Sequence, residues 1–364
     1  MLRLLQPFEA CVTMSGSTLR PIKPPRLRLG DAVAIVSPSW GGPATHPAVY
    51  EAGLHVLRTD LGLSVVEMPH ARTSAEELYA RPDLRAADIR QAFADPSIRG
   101  VISSIGGDDS IRVLPHLDVD ALARTPKVVM GFSDTATLLT TLHRAGLVTF
   151  NGPSVMAGLA QARRLPRRFL EHLRAVLFEG RAEAYTPYGA YHVGYPDWAS
   201  TEDPTALNSL QPDLDGFRVL QGTAAARGRL FGGCVEVIDF LRGTRYFPEA
   251  EFFEGRVLFL ETSEEKPTPR AVGRVLRSFG IAGVLDRLSA LLLGRAHGYS
   301  PEEKAMLERI VLDVVSVEFG RTTMPIVANM DFGHTDPQFV LPLGVEVEVD
   351  PVHSTVRMLE PAVE

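Results

Sequence analysis

The chain has few cysteines and no long apolar or basic run, and these absences exclude several classes of protein. Only two cysteines, Cys11 and Cys234, occur among 364 residues, so neither a disulfide framework nor a cysteine-based zinc site is expected. No stretch reaches the length of a transmembrane helix, and residues 1–19 lack the continuous apolar segment of a signal peptide. A net charge of −7 without Lys/Arg runs argues against nucleic-acid and anionic-membrane partners. These features predict a cytoplasmic protein.

What is present is typical of a globular protein of two domains or one large one. Hydrophobic residues make up 45% of the chain and charged residues 22%. Met14 offers an alternative start to Met1. Changes in composition and hydrophobic periodicity along the chain predict four segments. They are an extended or disordered lead-in (1–25), an N-terminal α/β domain (26–180), a connecting segment (181–225) and a C-terminal domain (226–364).

Strand-like and helix-like segments alternate from residue 30 onward, which is typical of a parallel sheet with helical crossovers. The predicted strands are 31–36, 64–68, 100–104, 127–130 and 147–151, and the predicted helices are 47–61, 83–93 and 134–144. Ligands of such sheets bind beyond the carboxyl ends of the strands, so the loops there are the first places to look for a site.

The last third of the chain mixes buried strands, one long helix and a hairpin. Apolar runs predict strands at 255–261, 288–293 and 325–329, and amphipathic spacing predicts a helix over 301–319. Residues 345–349 and 354–358 alternate with period two, which predicts an antiparallel hairpin with one face in solvent.

One serine lies at a predicted strand-to-helix corner. Residues 127–136 read Lys-Val-Val-Met-Gly-Phe-Ser-Asp-Thr-Ala, so Ser133 follows a buried strand and stands two residues after Gly131. This is the pattern of a nucleophile elbow, in which the helix amides and dipole favour a developing oxyanion. Thr135 replaces the second glycine of the usual Gly-x-Ser-x-Gly pattern. The alternative interpretation is that Ser133 only caps the helix.

Two further polar residues end apolar strands. Glu261 closes one strand, and His334 lies in the loop that follows another. A nucleophilic serine needs an imidazole to take its proton and a carboxylate to orient that imidazole, so Ser133, Glu261 and His334 supply the three required types. Spacing does not show that they meet. Asp331, His334 and Asp336 are an alternative set of metal ligands, although three neighbours on one loop rarely suffice.

The connecting segment is rich in aromatic residues and has no regular period. Trp198 is its best candidate for stacking on a ligand at the edge of a cleft. The equally weighted alternative is a surface crossover whose rings cover the edge of the core.

Several motifs in order carry a resemblance to a known family. They are Gly-Gly-Asp-Asp-Ser (106–110), Gly-Phe-Ser-Asp (131–134), Thr-Phe-Asn-Gly-Pro (149–153), Gly-Arg-Leu-Phe-Gly-Gly (228–233), Leu-Glu-Thr-Ser (260–263), Asn-Met-Asp-Phe-Gly-His-Thr (329–335) and Leu-Pro-Leu-Gly (341–344). From about residue 30 to 358 the sequence resembles the LD-carboxypeptidase family of serine peptidases. The resemblance implies a flavodoxin-like parallel-sheet N-terminal domain, a C-terminal domain of mixed β and α structure, and an active site between them, usually in a homodimer.

The resemblance also implies roles for individual residues. Ser133 is the expected nucleophile, Glu261 the carboxylate and His334 the base, with main-chain amides of Gly107 and Asp134 forming the oxyanion hole. It implies hydrolysis without a metal or a cofactor.

Departures from the murein-trimming members point to one branch of the family. Those members commonly have Arg-Gly-Gly-Tyr at this loop, whereas this chain has Ile105 before its two glycines and Asp108 after them. The segment Leu-Glu-Thr-Ser-Glu-Glu-Lys (260–266) also differs from the murein-trimming members. The chain is more similar to the microcin-immunity branch, which implies a peptidyl or aminoacyl nucleotide, or a similar small peptide conjugate, as substrate. Trp198 would stack on the nucleobase, and Asp108 and Lys266 are the other expected substrate contacts. Two alternatives remain: trimming of murein tetrapeptides, and a non-catalytic binding protein that kept the cleft.

Overall fold

The computed structural model describes residues 20–364, so the alternative start at Met14 and most of the predicted lead-in, residues 1–25, lie outside the described residues. In the N-terminal half the chain forms five parallel strands, in the spatial order β2-β1-β3-β4-β5. They are β1 (Ala32–Val36), β2 (Ser64–Glu67), β3 (Ile98–Ser103), β4 (Val128–Gly131) and β5 (Thr149–Asn151). This is the flavodoxin-like order, which confirms the predicted fold class.

The strands of the rest of the chain are mostly short. They are β6 (Ala184–Tyr185), β7 (Ala190–Val193), β8 (Leu210–Pro212), β9 (Arg218–Gln221), β10 (Ala226–Cys234), β11 (Val257–Glu261), β12 (Ala290–Gly294), β13 (Ile326–Met330), β14 (Thr335–Asp336), β15 (Leu341–Leu343), β16 (Glu346–Asp350) and β17 (Thr355–Met358).

The α-helices of the described chain connect these strands. They are α1 (Gly42–Thr45), α2 (Pro47–His55), α3 (Ala75–Ala80), α4 (Pro82–Ala94), α5 (Val119–Ala123), α6 (Ala136–Arg144), α7 (Arg168–Arg174), α8 (Val235–Leu241), α9 (Pro269–Ile281), α10 (Val284–Arg287) and α11 (Pro301–Leu312). None of the helices within residues 20–364 is both long and apolar enough to cross a bilayer.

Two predicted helices change their winding before they end. The helix predicted over 47–61 is α2 followed by a π-helical turn at Val56–Asp60, and the one predicted over 301–319 is α11 followed by Asp313–Glu318 in the same form. Ser300 and Glu303 form a capping box at the start of α11. Pro301 is the first residue of the helix, where its nitrogen, which carries no hydrogen, leaves no donor unpaired.

A second sheet forms the C-terminal half around a parallel centre. Strands β10, β11, β12 and β13 run parallel, and β6, β17 and β16 on one side and β9 on the other extend them antiparallel. Strands β11 and β12 are buried along their whole length, as their apolar runs predict. The hairpin predicted at 345–358 is β16 paired with β17. This mixture confirms the predicted C-terminal architecture.

One strand pairing joins the halves, and another ties the connecting segment to the C-terminal half. Strand β15 adds to the first sheet, antiparallel to β5, so a segment from the end of the chain completes the N-terminal sheet. A third, small sheet of order β14-β7-β8 brings part of the connecting segment against the strand that follows His334. One apolar core runs through both large sheets, with Phe150 of the first and Phe259 of the second among its buried members.

Candidate active site

Ser133 stands in a strained corner directly after β4. Its φ is +57°, in the left-handed region, and a 3₁₀ turn (Ser133–Thr135) leads from it into α6. Gly131 is needed because a Cβ there would lie 2.9 Å from Cγ2 of Thr135. The helix begins without a side-chain capping bond, so Ser133 does not serve as its cap. Its hydroxyl is instead aimed out of the corner.

The structure brings Ser133, Glu261 and His334 together. Nδ1 of His334 lies 2.7 Å from Oε2 of Glu261, and Nε2 lies 3.1 Å from Oγ of Ser133. Glu261 ends β11 and is buried, while His334 lies between β13 and β14. Since a carboxylate only accepts hydrogen bonds, Nδ1 must donate to Glu261, which is the arrangement of a serine, an imidazole and an orienting carboxylate.

The loop after β3 lies against the serine. A Cβ on Gly106 would be 2.8 Å from Oγ of Ser133 and 3.5 Å from the main-chain nitrogen of Asp134. Gly107 follows with a φ of +151°, and a Cβ there would lie 3.0 Å from the main-chain nitrogen of Trp40. Gly106 therefore lets this loop approach Ser133 and the amide of Asp134 closely, and Gly107 lets it pack against the loop after β1.

The side chain of Asp134 is used to hold this corner together. It is fully buried, and its Oδ2 accepts from the hydroxyl of Ser39 at 2.5 Å and from the main-chain nitrogen of Ser110 at 2.7 Å. Burial raises the pKa of Asp134, and these two donors oppose the shift. The carboxylate thus ties the loop after β1 and the loop after β3 to the residue next to Ser133.

A second carboxylate reaches the imidazole. Oε2 of Glu264 lies 2.9 Å from Nε2 of His334, on the nitrogen that also faces Ser133. Burial lowers the pKa of His334, but Glu261 and Glu264 together outweigh that effect and raise the pKa to about 10. The hydrogen bond from His334 is in turn the main reason that the pKa of Glu264 falls to about 2.

Trp198 lies in a row of rings that borders the site, which we call the aromatic wall. Its centroid is 5.5 Å from that of His46 and 5.4 Å from that of Tyr195, and His46 is 5.8 Å from Trp40. The main-chain nitrogen of Trp40 donates to Gly106 at 3.2 Å, and the hydroxyl of Tyr195 donates to Asp336 at 2.5 Å. The wall therefore runs from the Gly106 loop to the strand after His334.

The other two predicted substrate contacts stand apart from the serine. Asp108 is exposed on the loop after β3. Lys266 pairs with Glu303 of α11, with its Nζ 2.8 Å from Oε2. Among the described residues, neither forms a hydrogen bond or an ion pair with Ser133 or His334, so their roles in substrate binding stay predictions.

The alternative set of metal ligands is engaged in other contacts. Asp331 accepts from Arg295 at 2.6 Å and from the main-chain nitrogen of Tyr188 at 3.0 Å, and Asp336 accepts from Tyr195. Across residues 20–364, no group of three or more His, Cys, Asp or Glu side chains is arranged to hold a metal ion.

Several neighbours of the site carry no signal that sequence reasoning could use. Glu264 lies only three residues after Glu261, yet nothing in the spacing shows that its side chain turns back to the same imidazole. Ser39, Trp40 and His46 come from the loop and helices after β1, and only the parallel order of the strands brings them to this edge.

Comparison with known proteins shows the family. The model of the LD-carboxypeptidase N-terminal domain matches residues 33–152, and that of the LD-carboxypeptidase C-terminal domain matches residues 227–349. The microcin C7 self-immunity protein of Escherichia coli is 25% identical over 341 residues, covering 92% of this chain and 94% of that protein. The murein tetrapeptide carboxypeptidase of Pseudomonas aeruginosa is 34% identical over 128 residues, covering 35% of this chain and 40% of that protein.

A solved structure with a bound nucleotide is also similar. The MccF-like protein from Streptococcus pneumoniae, in complex with AMP, superimposes with a TM-score of 0.79 at 29% identity, covering 90% of this chain and 98% of that chain. The chain therefore belongs to the LD-carboxypeptidase family of serine peptidases, near its microcin self-immunity branch, and is a serine carboxypeptidase-type hydrolase.

Proposed function

We propose that the protein hydrolyses an amide bond in a peptidyl or aminoacyl nucleotide, or in a similar small conjugate, with Ser133, His334 and Glu261 as its catalytic triad. The observation that carries the triad is the chain of contacts from Glu261 through His334 to Ser133, at 2.7 and 3.1 Å. The strained φ of Ser133 supports it, because a nucleophile elbow holds its serine in this conformation.

The contacts define the steps. Nε2 of His334 takes the hydroxyl proton as Oγ of Ser133 attacks the scissile carbonyl, and Glu261 stabilises the imidazolium that forms. The main-chain amides of Gly107 and Asp134 donate to the oxyanion of the tetrahedral intermediate. His334 then gives the proton to the leaving nitrogen, and water, activated by the same imidazole, hydrolyses the acyl-enzyme.

The aromatic wall supports a nucleotide as the leaving part of the substrate. Trp198 packs on His46, which packs on Trp40 beside the loop that approaches Ser133, so a nucleobase attached to the scissile group would lie along this row of rings. The similar MccF-like protein from Streptococcus pneumoniae binds AMP. Within residues 20–364, the Nε1 atom of Trp198 is buried and has no hydrogen-bond partner.

A second candidate is trimming of murein tetrapeptides. The local similarity to the murein tetrapeptide carboxypeptidase of Pseudomonas aeruginosa favours it. We place the nucleotide conjugate first, because Ile105 and Asp108 stand where murein-trimming members commonly have the arginine and tyrosine of Arg-Gly-Gly-Tyr.

The deciding experiment gives one purified sample both substrates. We expect kcat/KM for an aminoacyl-sulfamoyl adenosine to exceed that for a murein tetrapeptide, with Ser133→Ala as the blank for each. A higher value for the tetrapeptide would overturn the nucleotide proposal and leave the triad in place. Failure of Ser133 to react with a fluorophosphonate probe would instead revive a non-catalytic binding protein.

The setting of the enzyme is part of the proposal. The scarcity of cysteine supports a cytoplasmic location, and the resemblance to the family supports a homodimer. Sedimentation of the purified protein tests the second point, with a monomer as the contrary result.

A further inference from the structure

Nε2 of His334 has two oxygen neighbours that make opposite demands on it. Oε2 of Glu264 lies at 2.9 Å and Oγ of Ser133 at 3.1 Å. An ionised carboxylate has no proton to donate, so it bonds Nε2 only when that nitrogen carries a hydrogen. A base that is to take the proton of Ser133 needs a bare lone pair on the same nitrogen. The contact with Glu264 is an ion pair at 2.9 Å, which is favourable only with a protonated His334 that cannot act as the base.

The other groups that face His334 do not cancel the stabilisation of its protonated form by Glu264. Nδ1 donates to Glu261, which also favours the protonated ring. The ring of His297 is 6.5 Å away, and burial together with the charge of His334 lowers the pKa of His297. Asp336, two residues on in β14, adds a third carboxyl group whose pKa burial raises, and the ring of Phe132 covers the imidazole at 5.0 Å.

The turn that carries Glu264 is fixed at both ends. The main-chain nitrogen and the hydroxyl of Ser263 donate to Glu236 of α8, at 3.1 and 2.5 Å. Lys266 closes the turn with a main-chain bond to Ser263 at 3.1 Å and an ion pair with Glu303 of α11. Between these anchors the side chain of Glu264 is 65% exposed. Its carboxylate can therefore leave His334 by side-chain rotation alone, without a change in the backbone.

We propose that Glu264 is a positioning residue that holds His334 protonated in the free enzyme and releases it when an ammonium group of the substrate takes the carboxylate. On release, the Nε2 proton passes to solvent and the lone pair becomes available to the hydroxyl of Ser133. The second part rests on the proposed function, because an aminoacyl nucleotide carries its ammonium group on the carbon next to the scissile carbonyl. A substrate with an acylated nitrogen has no charge to offer Glu264.

The first test measures the protonation of His334 directly and needs no substrate. Titration of the His334 ring by NMR is compared among the wild type, Glu264→Gln and Glu265→Gln, with His334→Gln used to assign the signal. Glu265 lies in the same turn and is exposed, so it is a matched control. We expect the pKa of His334 to fall by roughly 1–3 units in Glu264→Gln, the range for loss of an opposite charge in contact, and to stay unchanged in Glu265→Gln. Equal values in the wild type and Glu264→Gln would overturn the proposal.

The second test asks what releases the base. Two compounds are compared, an aminoacyl-sulfamoyl adenosine with a free α-amine and its N-acetyl derivative. We expect the wild type and Glu265→Gln to prefer the free amine by roughly 10-fold in kcat/KM, the factor that corresponds to 1.4 kcal/mol, and Glu264→Gln to lose the preference. An undiminished preference in Glu264→Gln would overturn the role of the ammonium group.

The two tests separate this inference from the proposed function. If the wild type cleaves neither compound while the pKa of His334 falls in Glu264→Gln, the hold on His334 is supported and the nucleotide substrate is overturned. If both compounds are cleaved and the pKa does not change, the nucleotide substrate is supported and the hold is overturned.

Discussion

The two halves of the molecule hold their functional groups by different means. Ser133 of the N-terminal half is placed by its backbone, with a φ of +57° and two glycines, Gly106 and Gly131, that allow close approach. His334 of the C-terminal half is placed by side chains, through its hydrogen bond to Glu261 and its ion pair with Glu264. The nucleophile should thus be sensitive to added volume, whereas the base should be sensitive to added or removed charge.

Removal of one functional group from either half should have the largest effect. Because a triad acts as a unit, we expect Ser133→Ala and His334→Ala each to lower kcat by roughly 10⁴-fold or more, with little further loss in the double variant. Single-turnover rates on the better substrate of the paired assay provide the measurement. Losses that multiply in the double variant would mean that the two halves contribute independently.

A substitution that adds volume beside Ser133 should cause the second-largest loss of activity. In Gly106→Ala the new Cβ would lie 2.8 Å from Oγ of Ser133, so the loop must withdraw and the oxyanion donors with it. We expect kcat to fall by roughly 10²- to 10³-fold, the cost of losing one such donor. Gly152→Ala is the matched control, since its Cβ would crowd Val340 at 3.0 Å just beyond the paired ends of β5 and β15. Equal losses in the two variants would show a general packing effect.

The aromatic wall tests whether a nucleobase is recognised. Base–aromatic stacking contributes about 1–3 kcal/mol, so Trp198→Ala should lower kcat/KM for an aminoacyl-sulfamoyl adenosine by about 5- to 150-fold. Turnover of a murein tetrapeptide, which has no base, should barely change. A similar loss on both substrates would assign Trp198 to the cleft wall alone, and no loss on either would make it a surface ring.

The contrast between the halves also explains how far the sequence could be interpreted. The parallel strands and their connecting helices follow from apolar runs and amphipathic spacing, and with them the edge at which Ser133 and Glu261 emerge. The junction between the halves is different. Strand β15 is a Leu-Pro-Leu segment with no period of its own, and it pairs with β5 only because the folded chain brings it there.

Side-chain contacts inside the site were the other part that the sequence could not provide. His334 was identified from the residue types that a nucleophilic serine requires, together with the family resemblance. Glu264 carries no signal in the sequence, because its contact depends on the turn closed by Lys266, whose φ of +53° no periodic pattern predicts. The positions of strand ends follow from the sequence, whereas the rotamers beyond them depend on packing.

Histidines in the two halves should respond to pH in opposite directions. His143 of α6 is buried, its Nδ1 donates to the carbonyl of Leu147 at 2.9 Å, and its Nε2 accepts from Arg256 at 3.2 Å. Burial and the charge of Arg256 lower its pKa from 6.5 to about 3, so its contribution to stability is present above pH 6.5 and is lost as the pH falls towards 3. The raised pKa of His334 gives the reverse: its contribution is present below about pH 6.5 and is lost as the pH rises towards 10.

The smallest expected effect is therefore a change of slope in stability between about pH 5.5 and 4.5, where His334 is protonated in both the folded and the unfolded chain. As the pH falls through this window, the free energy of unfolding of the wild type should decrease more steeply than that of His143→Gln. The difference in slope should be up to about 1.4 kcal/mol per pH unit, because the unfolded wild type binds one proton that the folded protein does not. Urea denaturation at several pH values measures it. His55→Gln, at an exposed position on α2, should keep the slope of the wild type. Equal slopes in the wild type and His143→Gln would mean that the His143 ring is protonated in the folded protein. That result would contradict the contact with Arg256, which donates a hydrogen bond to an unprotonated Nε2.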